Sequence, residues 1–335
     1  MKKSVFLFLI IFIIASCNQT SKSTYINIGG FTQGTTYNIT YESQENINYQ
    51  EEIETLLANF DSSLSTYNEL SVISQINYNK SNITDEYLRI VFKKSEEVYK
   101  QTNKAFDLTV APLVNAWGFG FRNKEEITNA KIDSILEFVG FNKVSLENSL
   151  IVKSDPRVML DVNAIAQGYS VDVVAEMFEK KGIRNYLVEI GGEVKAKGVN
   201  NKGKVWKIGI DKPFDNNNIP GQELQAIVKL SNKSLATSGN YRKFYVRDGV
   251  KYSHTINPKT GYPVTHSLLS TTVIANDCMT ADAYATAFMV MGLEEAYILA
   301  EKLSDIEALF VYSDENGEYI VKTTSAMDEV LEDVK

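Results

Sequence analysis

Apolar positions alternate at Tyr37, Ile39 and Tyr41, the two-residue period of a half-buried strand, and a matching run from Tyr25 to Phe31 lies across Gly34. The two runs read as a hairpin over 25–31 and 35–41. The period then lengthens: Ile53, Leu56, Leu57 and Phe60 share one face of a helix over 50–64, and helical spacing returns over 85–101. A third helix is predicted over 164–181, stopped at Gly182. Strands are expected at 186–190, 206–210, 224–230, 243–247, 251–256 and 270–275, then helices near 281–291 and 293–303, then a last strand pair at 308–312 and 318–322. Helices and strands come in blocks, so the fold class is α+β, a mainly antiparallel sheet core with flanking helices.

Composition fits a folded chain: 335 residues, 44% hydrophobic and 23% charged. No repeat, low-complexity tract or Pro/Ser-rich linker interrupts it, and residues 25–335 are expected to form a single domain. The net charge of −8 argues against a nucleic-acid partner. Two histidines and two cysteines are too few for a conventional structural zinc site.

The amino terminus changes the picture. Lys2 and Lys3, an apolar run from Val5 to Ile14 and the small residues Ala15 and Ser16 have the parts of a secretory signal, too short to span a membrane as a helix. Ala15-Ser16-Cys17 after Ile14 resembles the bacterial lipobox, whose cysteine is diacylated and becomes the first mature residue; the alternative is a plain signal peptide with a coincidental cysteine. Residues 1–16 are thus expected to be removed and residues 17–24 to form a polar tether. The mature protein would be an exported lipoprotein anchored through Cys17 to the cell membrane, on its periplasmic or outer face. Cys278 then lacks a partner and is expected to be buried.

Familiar phosphate cradles are missing: there is no G-x-G-x-x-G between strand and helix and no G-x-x-x-x-G-K-[ST]. Gly191-Gly192 admits close backbone approach to a ligand or is simply a turn. Thr237-Ser238-Gly239 lacks the surroundings of a nucleophile elbow. Three other segments are candidates. Asp282 and Thr286 are four apart on a predicted helix with Thr280 as its N-cap, so their oxygens point one way and could share a hard cation such as magnesium. An acidic residue in a first turn and a helical threonine bonded back to the preceding turn explain the same spacing without a metal. Asp161 to Gly168 joins a strand to a helix with polar groups at the junction, either an anion-facing helix start or ordinary capping by Asp161 and Asn163. His254 lies in a Pro- and Gly-bounded loop, as a proton acceptor or a structural histidine.

Taken together and in order, these segments resemble one family, the FAD:protein FMN transferases, also called the thiamine-biosynthesis lipoprotein ApbE family. The match includes Gly34 to Tyr37, Ser65-Thr66-Tyr67 with Ser71 and Asn77, Ala105 to Asn115, Trp117 to Gly120, Asp161 to Asp172, Gly191-Gly192, Thr237 to Arg242, the His254 loop and the Ala281 to Gly292 helix. The resemblance implies a fold of the T-fold type and Mg²⁺-dependent transfer of FMN from FAD to a Thr or Ser hydroxyl of a partner protein, with AMP released. It implies magnesium ligation by the Ala164 carbonyl, Asp282 and Thr286, and flavin or nucleotide contacts from Gln33, Tyr67, Ala105, Phe106, Asp107, Asp161, Gln167, Thr255 and Ile256. His254 matches the histidine that assists proton transfer, with Asp282 as the next candidate. Gln33 stands where the family commonly has Met, and Gln167 where a charged residue is common. The implied acceptor is a flavin-bearing subunit of a membrane redox complex. FAD hydrolysis to FMN and AMP, or flavin binding without turnover, are the other readings of these residues.

Overall fold

The computed structural model describes residues 23–120, 127–214, 221–240, 244–247 and 250–332. The predicted signal, Cys17 and the tether up to residue 22 lie outside the described residues, as do Tyr241, Arg242 and Lys243. Among the described residues no helix is long and apolar enough to cross a membrane.

Eight strands make the central sheet: Thr24–Thr32, Thr35–Ser43, Tyr186–Ile190, Glu193–Lys197, Lys233–Gly239, Leu268–Ala275, Glu307–Ser313 and Tyr319–Thr323. They lie side by side in chain order, and every neighbouring pair is antiparallel. The α+β expectation therefore holds. The other elements are inserted between successive strands, except the helix Ser325–Asp328 and the strand Leu331–Glu332, which follow the last strand, the latter pairing with Leu224–Leu230. Helices Gln50–Leu64, Glu86–Gln101 and Ala166–Lys180 come between the second and third, a small sheet built on Trp206–Asp211 and Leu224–Leu230 between the fourth and fifth, and helices Cys278–Met291 and Leu293–Ala300 between the sixth and seventh.

The first hairpin turns on Gln33 and Gly34, both at positive φ (51° and 75°), which matches the twist of its strands. The central strands are buried on both faces. Ala236, Val273 and Phe310 point into the helical core, while Leu235, Ile274 and Leu309 point into a second core under the small sheet. Leu268–Ala275 is buried along nearly its whole length, and its central Ser270, Thr271 and Thr272 are small hydroxyl residues that a doubly covered strand can hold, Thr272 Oγ1 lying 2.8 Å from Thr237 Oγ1 on the neighbouring strand.

Three local expectations are corrected. The Cys278–Met291 helix starts earlier than predicted: Asp277 is its N-cap, accepting from the Thr280 N–H at 2.8 Å, so Thr280 is already helical. The third helix begins at Ala166 rather than 164, with Ile165 at its N-cap and no side-chain cap, so neither Asp161 nor Asn163 caps it. The segment before it belongs to no strand and ends in a turn over 163–165. Its backbone is fixed instead by buried Asn77, which accepts from the Leu160 N–H at 2.7 Å and donates to the Leu160 carbonyl at 2.8 Å, and by the Asp161 N–H, which donates to Leu108 O at 2.7 Å.

Candidate active site

The helices Ala166–Lys180 and Cys278–Met291 pack so closely that a Cβ on Gly168 would lie 2.3 Å from the Cys278 carbonyl oxygen and 2.7 Å from the Asp282 Cβ. Glycine there allows the Gly168 N–H to donate to Asp282 Oδ2 at 3.0 Å. Tyr169 N–H reaches back to Ile165 O, so with Gly168 turned to Asp282 the Ala164 carbonyl stays out of the helix ladder. One turn along from Asp282, Thr286 Oγ1 lies 3.1 Å from Ser238 Oγ on the Lys233–Gly239 strand.

Asp282 is buried, and the loss of water, only partly offset by the Gly168 N–H, pushes its carboxyl up to about 7. Glu193 at the start of its strand is buried too, and desolvation followed by the field of Asp282 holds its carboxyl well above the ordinary range. Two buried carboxylates facing one another are unfavourable unless protonated or neutralised by a cation. Among the described residues no three or more His, Cys, Asp and Glu side chains cluster as metal ligands. A carboxylate, a hydroxyl and a carbonyl that no backbone donor among the described residues engages nevertheless make an all-oxygen donor set, and the charge next to Glu193 suits a hard cation.

Gln167 occupies the mouth of this acidic pair. Its amide nitrogen donates to Ile190 O at 3.1 Å and to Glu193 Oε2. A Cβ on Gly191 would fall 1.9 Å from that nitrogen and 2.8 Å from Thr35 Cγ2, so Gly191-Gly192 is a turn, joining Tyr186–Ile190 to Glu193–Lys197 as a hairpin, and also a place where side chains approach backbone closely. Gln33 at the neighbouring hairpin tip accepts from Ser170 Oγ at 3.3 Å. The structure thus gathers Gln33, Ala164, Gln167, Asp282 and Thr286 around the start of one helix.

The remaining candidates flank this centre. Asp161 is buried, desolvation raises its carboxyl, and its Oδ1 accepts from the Asn163 N–H at 2.8 Å. Tyr67 projects with 68% of its surface exposed; partial desolvation of its hydroxyl, then the charge of Asp161, raise its pKa. Ala105 and Phe106 are buried, and both Asp107 oxygens are committed, Oδ1 to the Thr109 N–H and hydroxyl and Oδ2 to the Phe141 N–H. These three therefore shape the wall more than they offer side-chain polarity. Thr255 Oγ1 donates to Asn240 Oδ1 at 3.0 Å, just beyond the strand that carries Ser238. Ile256 is buried with Leu113, Trp117 and Ile132, and Trp117 Nε1 donates to Gly261 O at 2.8 Å, anchoring the loop that presents His254. The His254 ring meets Phe119 edge-on with centroids 6.5 Å apart.

Glu193, Ser238 and Asp172 were not foreseen from sequence. Asp172 accepts from the Cys278 and Met279 N–H groups and pairs with Lys195 at 2.8 Å. Ser238 and Asp172 lay inside matched segments without a role given to either, and the signal at Glu193 is an acid directly after Gly191-Gly192.

Comparison with known proteins decides the family: residues 33–310 match the model of the ApbE family. The chain belongs to the ApbE family. This ApbE-family chain is 36% identical over 315 residues to the FAD:protein FMN transferase of Vibrio cholerae, covering 91% of this chain and 92% of that protein. It is 36% identical over 334 residues to the protein of that name from Haemophilus influenzae, covering 95% and 94%. Among solved structures, the flavin transferase ApbE from Vibrio cholerae superposes with a TM-score of 0.83 at 34% identity over 92% of this chain and 99% of that one. The apo form of the Pseudomonas stutzeri flavinyl transferase ApbE does so with 0.82 at 33% identity, covering 92% and 97%.

Proposed function

We propose that this ApbE-family protein moves FMN from FAD to a Thr or Ser hydroxyl of an acceptor protein, forming a phosphoester and releasing AMP. The observation that carries the reading is the buried Asp282 beside Thr286 and the free Ala164 carbonyl, an oxygen site facing the start of a helix. Those three would hold Mg²⁺, which when bound supplies positive charge for the pyrophosphate oxygens. Gln33, Gln167 and the Gly191 turn, with Tyr67, Asp161, Ala105, Phe106, Asp107, Thr255 and Ile256 around them, would bind and orient FAD. The acceptor oxygen attacks the phosphorus on the FMN side, the bond to the AMP phosphate breaks, and His254 takes the hydroxyl proton. Holding that hydroxyl in line and assisting its deprotonation is worth about 10²–10⁴-fold for the proton transfer alone.

The amino-terminal reading completes the proposal: one domain over 25–335, cleaved before Cys17 and lipid-anchored there, works on a flavin-bearing subunit of a membrane redox complex at the same membrane face. The direct test is incubation of the mature protein with FAD, Mg²⁺ and an acceptor carrying a candidate Thr. Flavin that stays on the acceptor after denaturation supports transfer, free FMN indicates hydrolysis instead, and unchanged FAD indicates binding alone. Mass spectrometry of the mature amino terminus reads the lipid on Cys17.

A further inference from the structure

A glutamine amide nitrogen carries two hydrogens, and in Gln167 both are spent, one on the Ile190 carbonyl and one on the Glu193 carboxylate. The opposite amide orientation would set the Gln167 carbonyl against the Ile190 carbonyl, two acceptors with no proton between them, so the orientation is fixed by chemistry. Among the described residues no donor engages the Gln167 side-chain oxygen. Glu193 is 9% exposed, and Gln167 is the partner that the structure gives its Oε2.

We infer that Glu193 is a positioning residue: it holds Gln167 with its carbonyl oxygen toward the dinucleotide, so that this position accepts a hydrogen bond from a ligand hydroxyl or N–H and does not bind phosphate. The inference rests on the flavin reading above. It gives the departure at Gln167 a consequence, because a neutral residue with no free donor selects the donor-bearing ribityl, ribose or ring-edge portion of FAD. It also separates two roles within the acidic pair, Asp282 facing the helix start and Glu193 facing Gln167.

The test is a double-mutant cycle in the full mature chain, reading FAD binding by flavin fluorescence, KM and kcat for FMN transfer, and melting without ligand. Glu193→Leu should raise KM for FAD about tenfold, with less effect on kcat, because the amide, left with the Ile190 carbonyl alone, has one N–H uncommitted and is no longer held in a single orientation. Glu193→Gln keeps an acceptor for the amide and should restore FAD affinity to within about threefold of the parent. In a Gln167→Ala background, Glu193→Leu should add nothing further to KM. Additive effects, or Glu193→Gln as damaging as Glu193→Leu, would overturn the assignment, since Glu193 would then act by charge or through Asp282. If the unmutated protein bound no FAD, the flavin reading and this orientation would both fall; the ligand-free melting cycle tells that failure from a missing Glu193–Gln167 coupling.

Discussion

Asp172 and Asp282 cap each other's helices. Asp172 of the Ala166–Lys180 helix accepts from the Cys278 and Met279 N–H groups that open the other helix, and Asp282 of the Cys278–Met291 helix accepts from the Gly168 N–H near the opening of the first. Each carboxylate faces the positive end of the partner's dipole. The reciprocal pairing fixes the axial position of both helices, and with it the spacing between the free Ala164 carbonyl and the Asp282–Thr286 pair.

Asp172→Asn should therefore act on stability first. The substitution removes the charge facing Lys195, whose amine is mostly buried, at 2.8 Å. Leaving one member of such a pair alone costs about 3–5 kcal/mol, whereas replacing both by apolar residues is often close to neutral. Urea denaturation should show a loss of that order for Asp172→Asn and substantial recovery in Asp172→Asn/Lys195→Met. If the single variant were as stable as the parent, the reciprocal cap would not be holding the helices.

Gly168→Ala tests the same contact from the other side. The added methyl would meet backbone, the Cys278 carbonyl at 2.3 Å, and backbone cannot rotate away as a side chain can. Separating the helices enough to fit it should cost about 1–3 kcal/mol and lengthen the Gly168 N–H to Asp282 bond. The expected result is lowered thermal stability together with weakened Mg²⁺ binding by titration calorimetry. Lowered stability with unchanged Mg²⁺ affinity would separate the helix contact from the ion site.

Asp282 gives a pH dependence whose sign can be worked out. Its carboxyl is pushed up to about 7 by burial, far above its value in the unfolded chain, so between those two values the native state binds more protons than the unfolded state. This contribution to stability is complete below about pH 4 and is lost as pH rises through about 7. Metal-free protein should accordingly melt at a lower temperature at pH 8 than at pH 6, and Asp282→Asn should flatten that slope. Mg²⁺ competes with the proton, so its apparent affinity should rise across the same window. A metal-free melting temperature that climbed from pH 6 to pH 8 in step with the Asp282→Asn variant would show that Asp282 is not the titrating group.

The helices at Gln50–Leu64 and Glu86–Gln101 and the strands at Tyr186–Ile190 and Leu224–Leu230 were legible because their periods or apolar runs are bounded by clear stops. Glu193–Lys197 and Lys233–Gly239 escaped notice: each carries charge or hydroxyls on sequence that is buried only by neighbouring strands, so local pattern understates them. Asp161 looked like a helix cap for a similar reason. Its nearest local partner is the Asn163 N–H, but what fixes the segment is Asn77, 83 residues before Leu160, and no local reading reveals that contact. The Asp282–Thr286 spacing was visible as one helix face, while the burial that raises the Asp282 carboxyl, and the field that Asp282 in turn exerts on Glu193, a strand away, are properties of the packed chain.

His254 closes the predictions because its role is separable from binding. Its loop is anchored by Ile256 in the small core with Trp117 and by the Trp117 Nε1 bond to Gly261 O, contacts that do not involve the imidazole. His254→Ala should then leave folding and FAD affinity near those of the parent while lowering the transfer rate by about 10²–10⁴-fold, the range for losing one acid–base group. Added imidazole should restore part of the rate, as expected for a missing proton acceptor in an intact loop. Transfer at the native rate in His254→Ala would move proton removal to Asp282, the other candidate acid–base group, whose carboxyl titrates near neutrality when no cation holds it ionised.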